Sequence, residues 1–397
     1  MNRPIADPEK DPTAGLQCYQ VGGAVRDALL GLPVQDRDWV VVGTTPDEMS
    51  ARGFTPVGRD FPVFLHPVTH EEYALARTER KSGQGYRGFV VHCAPDVSLE
   101  EDLLRRDLTV NAMALDAKGR LIDPQGGQQD LAQGLLRHVS PAFIEDPVRI
   151  LRVARFCARF GQFRIAPETL ELMRTMVERG EVDALVPERI WQELARGLMY
   201  PHAARMLDAL KACGALARML PALDHAWPAP GVCAALAQAV AIDAPLPVRW
   251  AALLHQLGMD EAGMVQSAVR APQACADLAR MLIREQGSLQ SPDHDSQSAL
   301  SLLEHCDALR KPERFEQLLQ AMACVRRDME PLLQGWRRAL DASRAVQAGA
   351  IAQAVPLEPA LTRAERIRAA VAAARCAAIT TASGVESEPG RKGLGSD

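Results

Sequence analysis

The change in residue pattern near Phe143 is the feature that most constrains the fold of this chain. Between Cys18 and Leu136, short runs rich in β-branched and aromatic residues alternate with turn residues and helical stretches. Beyond Phe143, nearly every segment has the spacing of a helix, and Pro147, Pro167 and Pro187 suit first helical turns. The sequence therefore predicts an α/β unit followed by a long helical remainder. The predicted strands are Tyr19–Val21, Trp39–Val42, Val63–His66, Glu72–Ala76 and Phe89–His92.

Length and composition exclude several classes of protein. A chain of 397 residues predicts two to four structural units. With 45 basic and 50 acidic residues the net charge is -5, which excludes coating of nucleic acid by bulk charge but leaves room for a local basic surface. The nine cysteines lack zinc-site spacing, so we expect reduced thiols in a soluble, cytoplasmic protein. No charge-free run of 18 apolar residues occurs, so we expect no membrane association.

A glycine-rich turn follows the first predicted strand. Val21 leads into Gly22 and Gly23, and the helix that begins there carries Arg26 one turn further on. Paired glycines let backbone N–H groups approach a phosphate closely, and the start of a helix favours negative charge. Arg26 could bind the same phosphate through its guanidinium. The alternative is an ordinary tight turn.

Two aspartates come immediately before the Trp39–Val42 run. Side chains two residues apart on a strand point to the same face, so the carboxylates of Asp36 and Asp38 should converge. Their mutual repulsion would be relieved by a cation, and a few hard oxygen ligands suit Mg²⁺. Glu72, which begins a later strand, could add a third acidic group. The alternative is a solvated turn, and the neighbouring glycine turn makes the metal site the better hypothesis.

Basic residues recur in three further segments. The loop 78–87 could close over a triphosphate, or it could be a plain solvated hairpin. Arg105 and Arg106 precede an Asp and an Asn and could bind phosphate or ribose. The segment 145–155 places one acidic residue and three arginines on one predicted helix face, which is either a binding face or a ladder of surface ion pairs. These four residues are Asp146, Arg149, Arg152 and Arg155.

The order of these motifs resembles the bacterial class II CCA-adding enzymes, which rebuild the CCA 3′ end of tRNA. The motifs read GGxVRDxLLG, DxD, RRDxxxNA and EDxxRxLRxxR, and the resemblance covers most of residues 17–220, including 58–66 and 136–141. Beyond residue 225 it is much weaker. Bacterial poly(A) polymerases share the same motifs, so they remain the nearest alternative.

The resemblance implies an α+β fold, with a polymerase-β-like nucleotidyltransferase head built on a mixed sheet and an all-helical neck, body and tail. We expect the body and tail to hold tRNA. The expected divisions are a disordered leader 1–16, head 17–142, neck 143–220, body and tail 221–382, and a disordered C-terminus 383–397.

The resemblance also implies roles for individual residues. Asp36 and Asp38 would be the catalytic ligands of Mg²⁺. In the neck motif, Asp146 and Arg149 would read the base edges of CTP or ATP, and UTP and GTP would leave these polar groups unpaired. The other nucleotide-binding residues would be Gly23, Arg26, Arg106, Arg152 and Arg155.

The expected reaction is two-metal phosphoryl transfer, in which the tRNA 3′-hydroxyl attacks the α-phosphate and pyrophosphate leaves. The partners are then tRNA, CTP and ATP, and the sequence gives no oligomeric state. A poly(A) polymerase should be more basic than net -5, and residues 326–397 carry only 11 basic against 8 acidic residues. A partial enzyme that adds only CC or only A is a closer alternative. A non-catalytic RNA-binding module is disfavoured by the intact Asp36 and Asp38.

One domain common among relatives of this head is expected to be degenerate. Metal-dependent HD phosphohydrolases need an adjacent His-Asp pair, whereas here His255 is followed by Gln256. A neutral amide is a weaker metal ligand than a carboxylate. We therefore expect residues 225–300 to be a helical scaffold without hydrolase activity.

Overall fold

The computed structural model describes residues 11–57, 62–81, 89–291, 295–356 and 362–382. The chain divides into two compact units, residues 1–221 and 222–397. Residues 12–15, inside the predicted leader, form a turn, and Arg52 donates to the carbonyl of Ala14 at 2.7 Å. The predicted disordered C-terminus, the 58–61 part of a resemblance segment and most of the predicted basic loop lie outside the described residues.

A seven-stranded mixed sheet organises the first unit, with strand order β3-β4-β5-β2-β1-β8-β9. Two further two-stranded sheets pair β10 with β11 and β6 with β7. The strands are β1 Gln17–Val21, β2 Asp38–Val42, β3 Thr55–Val57, β4 Val63–Leu65, β5 Glu72–Leu75, β6 Thr78–Lys81, β7 Phe89–His92, β8 Ala114–Leu115, β9 Leu121–Ile122, β10 Leu135–Leu136 and β11 Arg164–Ile165. All five predicted strands are present.

Apolar side chains of the central strands point alternately to the two faces of the sheet and form a hydrophobic core on each face. Val40 packs with Leu103 on one face, whereas its neighbour Val41 packs with Phe54 and Tyr73 on the other. Successive side chains of a strand point to opposite faces, so a short β-branched run suits a strand covered on both sides. The predicted buried strand is confirmed.

Helices form the rest of the first unit. The central one, α5, packs against α7 and α8, and α6 and α7 begin at Pro167 and Pro187 as predicted. Proline is favoured there because the N–H groups of a first turn have no acceptor within the helix. The absence of an N–H in proline therefore costs no hydrogen bond. The helices are α1 Gly23–Leu29, α2 Pro46–Ala51, α3 Leu99–Leu104, α4 Gly127–Gln133, α5 Val148–Arg159, α6 Pro167–Glu178, α7 Pro187–Leu198, α8 Ala203–Ala212 and α9 Ala215–Met219.

The second unit is entirely helical in the residues described. Its core lies around α12, which packs against α11, α14 and α16 and buries Trp250 and Leu253. The helices are α10 Pro221–Ala226, which begins at the boundary, α11 Pro230–Ala241, α12 Leu246–Leu254, α13 Met259–Val269, α14 Gln273–Gln290, α15 Ser296–His305, α16 Pro312–Val325, α17 Glu330–Ala345, α18 Ala348–Ala354 and α19 Arg363–Ala382. Among the described residues, no helix combines the length and apolar character needed to cross a bilayer.

Candidate active site

A cleft of about 1130 Å³ lies in the first unit and is lined by β1, β2, β5, α1, α5 and α7. Every residue that the sequence analysis assigned to metal or nucleotide lines this one cleft, although the motifs are spread over 133 positions of the chain. These residues are Gly23, Arg26, Asp36, Asp38, Glu72, Arg106, Asp146, Arg149, Arg152 and Arg155.

The acidic residues lie where three central strands meet the cleft. Asp38 is the first residue of β2, opposite Val21 of β1 and Glu72 of β5. Asp36 precedes the strand, so the expectation that both aspartates lie on a strand holds only for Asp38. Both nevertheless line the cleft, and Glu72 reaches it from the neighbouring strand.

The electrostatics of Asp38 favour a bound cation. Burial raises the pKa of its carboxyl, the charge of Asp36 raises it further, and Arg106 partly offsets the increase. A divalent cation would relieve both unfavourable effects, because it compensates for lost hydration and separates the like charges. Within the described residues, no three acidic, histidine or cysteine side chains form a complete metal site. A two-carboxylate site suits Mg²⁺, which keeps positions for water and phosphate oxygens.

The glycine turn has a backbone that other residues would not adopt easily. Gly22 has a φ of 70°, and a β-carbon there would lie 3.0 Å from Nη1 of Arg106. The N–H of Gly22 donates to the carbonyl of Met113. The first N–H groups of α1, which begins at Gly23, have no partner within the helix and therefore remain suited to an anion.

Arg26 is buried beneath the cleft. Its guanidinium carbon lies 5.1 Å from the ring centres of both Phe156 and Phe160, and the group donates to Asp27 and Asn111. Burial lowers the pKa of Arg26, and the adjacent Asp27 partly offsets that effect. These contacts link α1 to α5, so Arg26 is a support of the cleft as well as part of its lining.

Arg105 and Arg106 share one buried carboxylate. Asp102, one turn earlier, accepts from Nη2 of Arg105 at 2.8 Å and from Nη2 of Arg106 at 3.1 Å. Burial alone would raise the pKa of Asp102, but the two guanidinium groups outweigh it and the pKa is lowered. The carboxylate therefore fixes Arg106 at the edge of the cleft beside Gly22.

Arg152 is held from one side. Its Nε donates to Oδ2 of Asp107 at 2.7 Å, while Oδ1 of Asp107 accepts from the Asn111 amide at 2.9 Å. Burial would raise the pKa of Asp107, but Arg152, Asn111 and the N–H of Leu108 together hold it well below its usual value. Asp107 thus holds the Nε side of the Arg152 guanidinium, and Arg152 lines the cleft.

Arg149 and Arg155 are the two buried arginines of α5. Arg149 donates from Nη1 to the carbonyl of Ala142 at 3.1 Å and from Nη2 to the carbonyl of Arg105 at 2.6 Å. Arg155 forms a buried ion pair with Glu193 of α7. Both arginines therefore have protein partners that the motif did not indicate.

Other supporting residues were also missed. Arg159 donates to Oδ2 of Asp27 at 2.7 Å, and Arg189 lies 3.7 Å from Oδ1 of Asp146. The i, i+4 spacing of Asp102 and Arg106 is a helical signal that could have been read from the sequence. Asp27 and Arg159 are 132 positions apart and carry no such local signal.

Family profiles match both parts of this unit. The profile described as "Poly A polymerase head domain" matches residues 18–137. The profile described as "Probable RNA and SrmB- binding site of polymerase A" matches residues 162–226. The first match contains the glycine turn and the acidic residues.

Similar proteins cover nearly the whole chain. The Multifunctional CCA protein of Azoarcus sp. (strain BH72) is 56% identical over 380 residues, covering 85% of this chain and 92% of that protein. The Multifunctional CCA protein of Cupriavidus necator (strain H16) is 51% identical over 410 residues, covering 92% of this chain and all of that protein. The crystal structure of the Bacillus stearothermophilus CCA-adding enzyme in complex with CTP superposes with a TM-score of 0.72 at 25% identity, covering 96% of this chain and 94% of that one.

The observed fold, a sheet-containing head followed by helices, agrees with this similarity. The motif residues also line one cleft. Identities above 50% over most of both chains place the sequence unambiguously among these relatives. The chain therefore belongs to the bacterial class II CCA-adding enzymes.

Proposed function

We propose that this protein adds CCA to the 3′ end of tRNA, using CTP and ATP and releasing pyrophosphate. The observation that carries the proposal is that Asp36, Asp38 and the arginines of α5 all line one cleft. A carboxylate pair suits phosphoryl transfer, and polar groups on a rigid helix suit selection of a base. The relative solved with CTP supports the same assignment.

We propose Mg²⁺ as the metal, with Asp36 and Asp38 as its protein ligands. Mg²⁺ bound there would neutralise phosphate charge and lower the pKa of the attacking 3′-hydroxyl. Glu72, opposite Asp38 on β5, adds negative charge at the same edge of the sheet. Arg106 partly balances that charge, since it lowers the pKa of Asp38.

The phosphates would be bound by the start of α1 and by arginine side chains. Gly23 permits close approach to the backbone, and Arg106 lies beside the glycine turn. Arg152 has one edge fixed by Asp107, so its other nitrogens can donate to phosphate or ribose oxygens. Arg26 and Arg155 would contribute positive potential and hold the walls, because their own hydrogen bonds are largely taken by the protein.

The base would be selected at the start of α5 by Asp146 and Arg149. A carboxylate accepts hydrogen bonds from the exocyclic amino groups of cytosine and adenine, whereas uracil and guanine present carbonyl oxygens there. Arg149 donates to two carbonyls of the protein, which fixes its guanidinium, and in this proposal the fixed guanidinium donates to ring acceptors of the base. Fixed donors and acceptors give strong discrimination, since a wrong base leaves them unpaired.

The deciding experiment incubates the purified protein with tRNA that ends at the discriminator base, Mg²⁺ and each labelled nucleotide. Sequencing of the 3′ ends should show CCA when CTP and ATP are both present. Tails of adenosine alone would indicate a poly(A) polymerase, and products ending at CC or accepting only A would indicate a partial enzyme. Omitting Mg²⁺ should abolish addition. RNA binding without any incorporation would instead favour the non-catalytic module.

A further inference from the structure

We infer that Arg189 is a positioning residue for nucleotide selection, acting through Asp146. This inference rests on the proposed function, in which Asp146 contacts the base. Arg189 is the third residue of α7, lies 43 positions after Asp146 in the sequence, and lines the same cleft. It would fix which oxygen of the carboxylate faces the base.

The contacts of Asp146 are one-sided. Its Oδ1 accepts from the backbone N–H of Val148 at 3.0 Å, and Nη1 of Arg189 lies 3.7 Å from the same oxygen. The Val148 contact is a hydrogen bond, whereas 3.7 Å is an ionic contact. The other oxygen, Oδ2, contacts no hydrogen-bond donor among the residues that the structure describes. Oδ2 is therefore the acceptor left for a ligand in the cleft.

The position of Arg189 is set by the packing of α7 on α5. Glu193 lies one turn after Arg189 on the same helix face, and it forms the buried ion pair with Arg155 of α5. The side chain of Arg189 is 29% exposed, so it is partly shielded from solvent but open to the cleft. The Arg155–Glu193 pair holds the helix, and the helix holds the guanidinium next to Asp146.

Holding one carboxylate oxygen has a chemical consequence. Rotation of the Asp146 side chain would offer Oδ1 and Oδ2 in turn and change the direction of the acceptor. Two contacts on Oδ1 restrict this rotation, so Oδ2 keeps one direction toward the exocyclic amino group. Supporting groups of this kind matter because a binding geometry must be held closely to be selective. Loss of Arg189 should therefore reduce selectivity more than it reduces binding of the triphosphate.

The test compares Arg189→Met with the matched control Arg196→Met, an exposed arginine of the same helix that does not line the cleft. For each variant, kcat and KM are measured for CTP, ATP, UTP and GTP on tRNA substrates. We expect the CTP-over-UTP ratio of kcat/KM to fall about tenfold in Arg189→Met, within the range of one base-edge contact. The control should keep the wild-type ratio, and Arg189→Lys should restore part of it.

The variant Asp146→Ala and the double variant Asp146→Ala/Arg189→Met complete the design. If Arg189 acts through Asp146, the double variant should be no less selective than Asp146→Ala alone, since coupled residues are not additive. Wild-type selectivity in Arg189→Met together with lost selectivity in Asp146→Ala would overturn the role of Arg189 only. Wild-type selectivity in Asp146→Ala would overturn the base-reading role itself. An equal loss for all four nucleotides in Arg189→Met would assign Arg189 to the fold.

Discussion

The cleft arginines are held by protein groups, as Arg106 by Asp102, Arg152 by Asp107 and Arg155 by Glu193 show. Such contacts lower the entropy cost of substrate binding, because the arginine side chains are already ordered before the substrate binds. They also explain how so many cations share one site: each buried charge has an acceptor within hydrogen-bond distance. An arginine without such a partner would be much more costly to bury.

The first prediction concerns Asp38. Asp38→Ala should keep the fold and tRNA binding, because burial of this carboxylate beside Asp36 is unfavourable without a cation. Incorporation in Mg²⁺ should fall at least about a thousandfold, comparable to the loss of a principal electrostatic group in other enzymes. Single-turnover incorporation of labelled CTP and a tRNA-binding titration measure the two effects.

Asp47→Ala is the matched control for this prediction, because Asp47 is an exposed acidic residue of α2 outside the cleft. It should leave incorporation unchanged. Retention of near-wild-type incorporation by Asp38→Ala would remove the metal assignment.

The second prediction concerns the pH dependence of the Asp107–Arg152 pair. The pKa of Asp107 in the folded protein lies below that of an unfolded aspartate, about 3.9, so the carboxylate stabilises the fold above about pH 4 and this contribution is lost in more acidic solution. In Arg152→Met, burial should dominate and raise the pKa of Asp107. The variant should lose roughly 1–3 kcal/mol near neutral pH, because Asp107 is buried whereas the side chain of Arg152 is 36% exposed and its charge is partly screened by solvent. Part of that loss should be recovered as the pH falls from about 6 to 4.

Urea unfolding at several pH values, followed by circular dichroism, measures this difference. Arg120→Met is the control, because Arg120 forms an exposed i, i+4 pair with Asp116. Exposed pairs contribute roughly 0–1 kcal/mol, so this variant should follow the wild-type curve. A stability difference between Arg152→Met and wild type that widens on acidification would contradict the prediction.

At the residue scale, the motifs identified the residues that line the cleft but not the carboxylates that hold its arginines in place. Asp36, Asp38 and the α5 arginines could be found because they are close in sequence and share a helical or extended spacing. Glu193 could not, since 38 positions separate it from Arg155 and only the packing of α7 on α5 brings them together. The same long-range packing places Arg189 beside Asp146.

At the scale of elements, α5 connects most of the site. Its residues contact α1 through Arg159 and Asp27, the Arg106–Asn111 segment through Arg152 and Asp107, and α7 through Arg155 and Glu193. The helix also buries Ile150 and Leu151 in the unit core. A rigid helix anchored on three sides keeps polar groups in fixed positions better than a loop does.

The third prediction tests the anchor between α5 and α7. Glu193→Ala leaves the guanidinium of Arg155 buried without its carboxylate, so the free energy of unfolding should fall by roughly 3–5 kcal/mol. Glu171→Ala, which removes an exposed partner of Arg174 on α6, should cost less than about 1 kcal/mol. Thermal and urea unfolding measure both. Similar small effects in the two variants would show that the buried pair does not stabilise the α5–α7 contact.

The elements predicted most successfully are those with strong local patterns. β2 was readable because a continuous β-branched run suits a strand covered on both faces, and α6 and α7 were readable from prolines in first turns. The short strands β3, β8 and β9 were not predicted. Each has two or three residues, too few for an alternating pattern, and they join the sheet through tertiary pairing.

At the scale of the whole molecule, the two units separate after Pro221, one residue from the expected end of the neck. Composition and helical spacing predicted an α/β part and a helical part, and the resemblance implied a mixed sheet, but the order of strands in that sheet was not predicted. The second unit was the least predictable, because its many helices have apolar faces that do not specify which helix packs against which.

The last prediction concerns a second activity of this unit. The two relatives are named multifunctional, and the residues of this chain determine whether it has a further activity. His255 is buried, and its Nδ1 lies 2.8 Å from the carbonyl oxygen of Ala252. Because a carbonyl oxygen only accepts hydrogen bonds, Nδ1 must carry the proton in this contact. Burial lowers the pKa of this imidazole. The side chain of Gln256 packs against Gly231 of α11, where an added β-carbon would meet its amide at 2.2 Å.

A histidine that packs in a helix core and a neutral amide beside it form a poor metal site, because a hydrolytic metal needs several charged or imidazole ligands that converge. We therefore expect CCA addition without hydrolysis of 2′,3′-cyclic AMP in Ni²⁺ or Mg²⁺, whereas His255→Ala should lower thermal stability through the cavity it leaves. Gln256→Asp tests the assignment further: a carboxylate restored without its partner ligands should not create hydrolysis. Metal-dependent hydrolysis by the wild-type protein that disappears in His255→Ala would show instead that this unit retains a working hydrolase site.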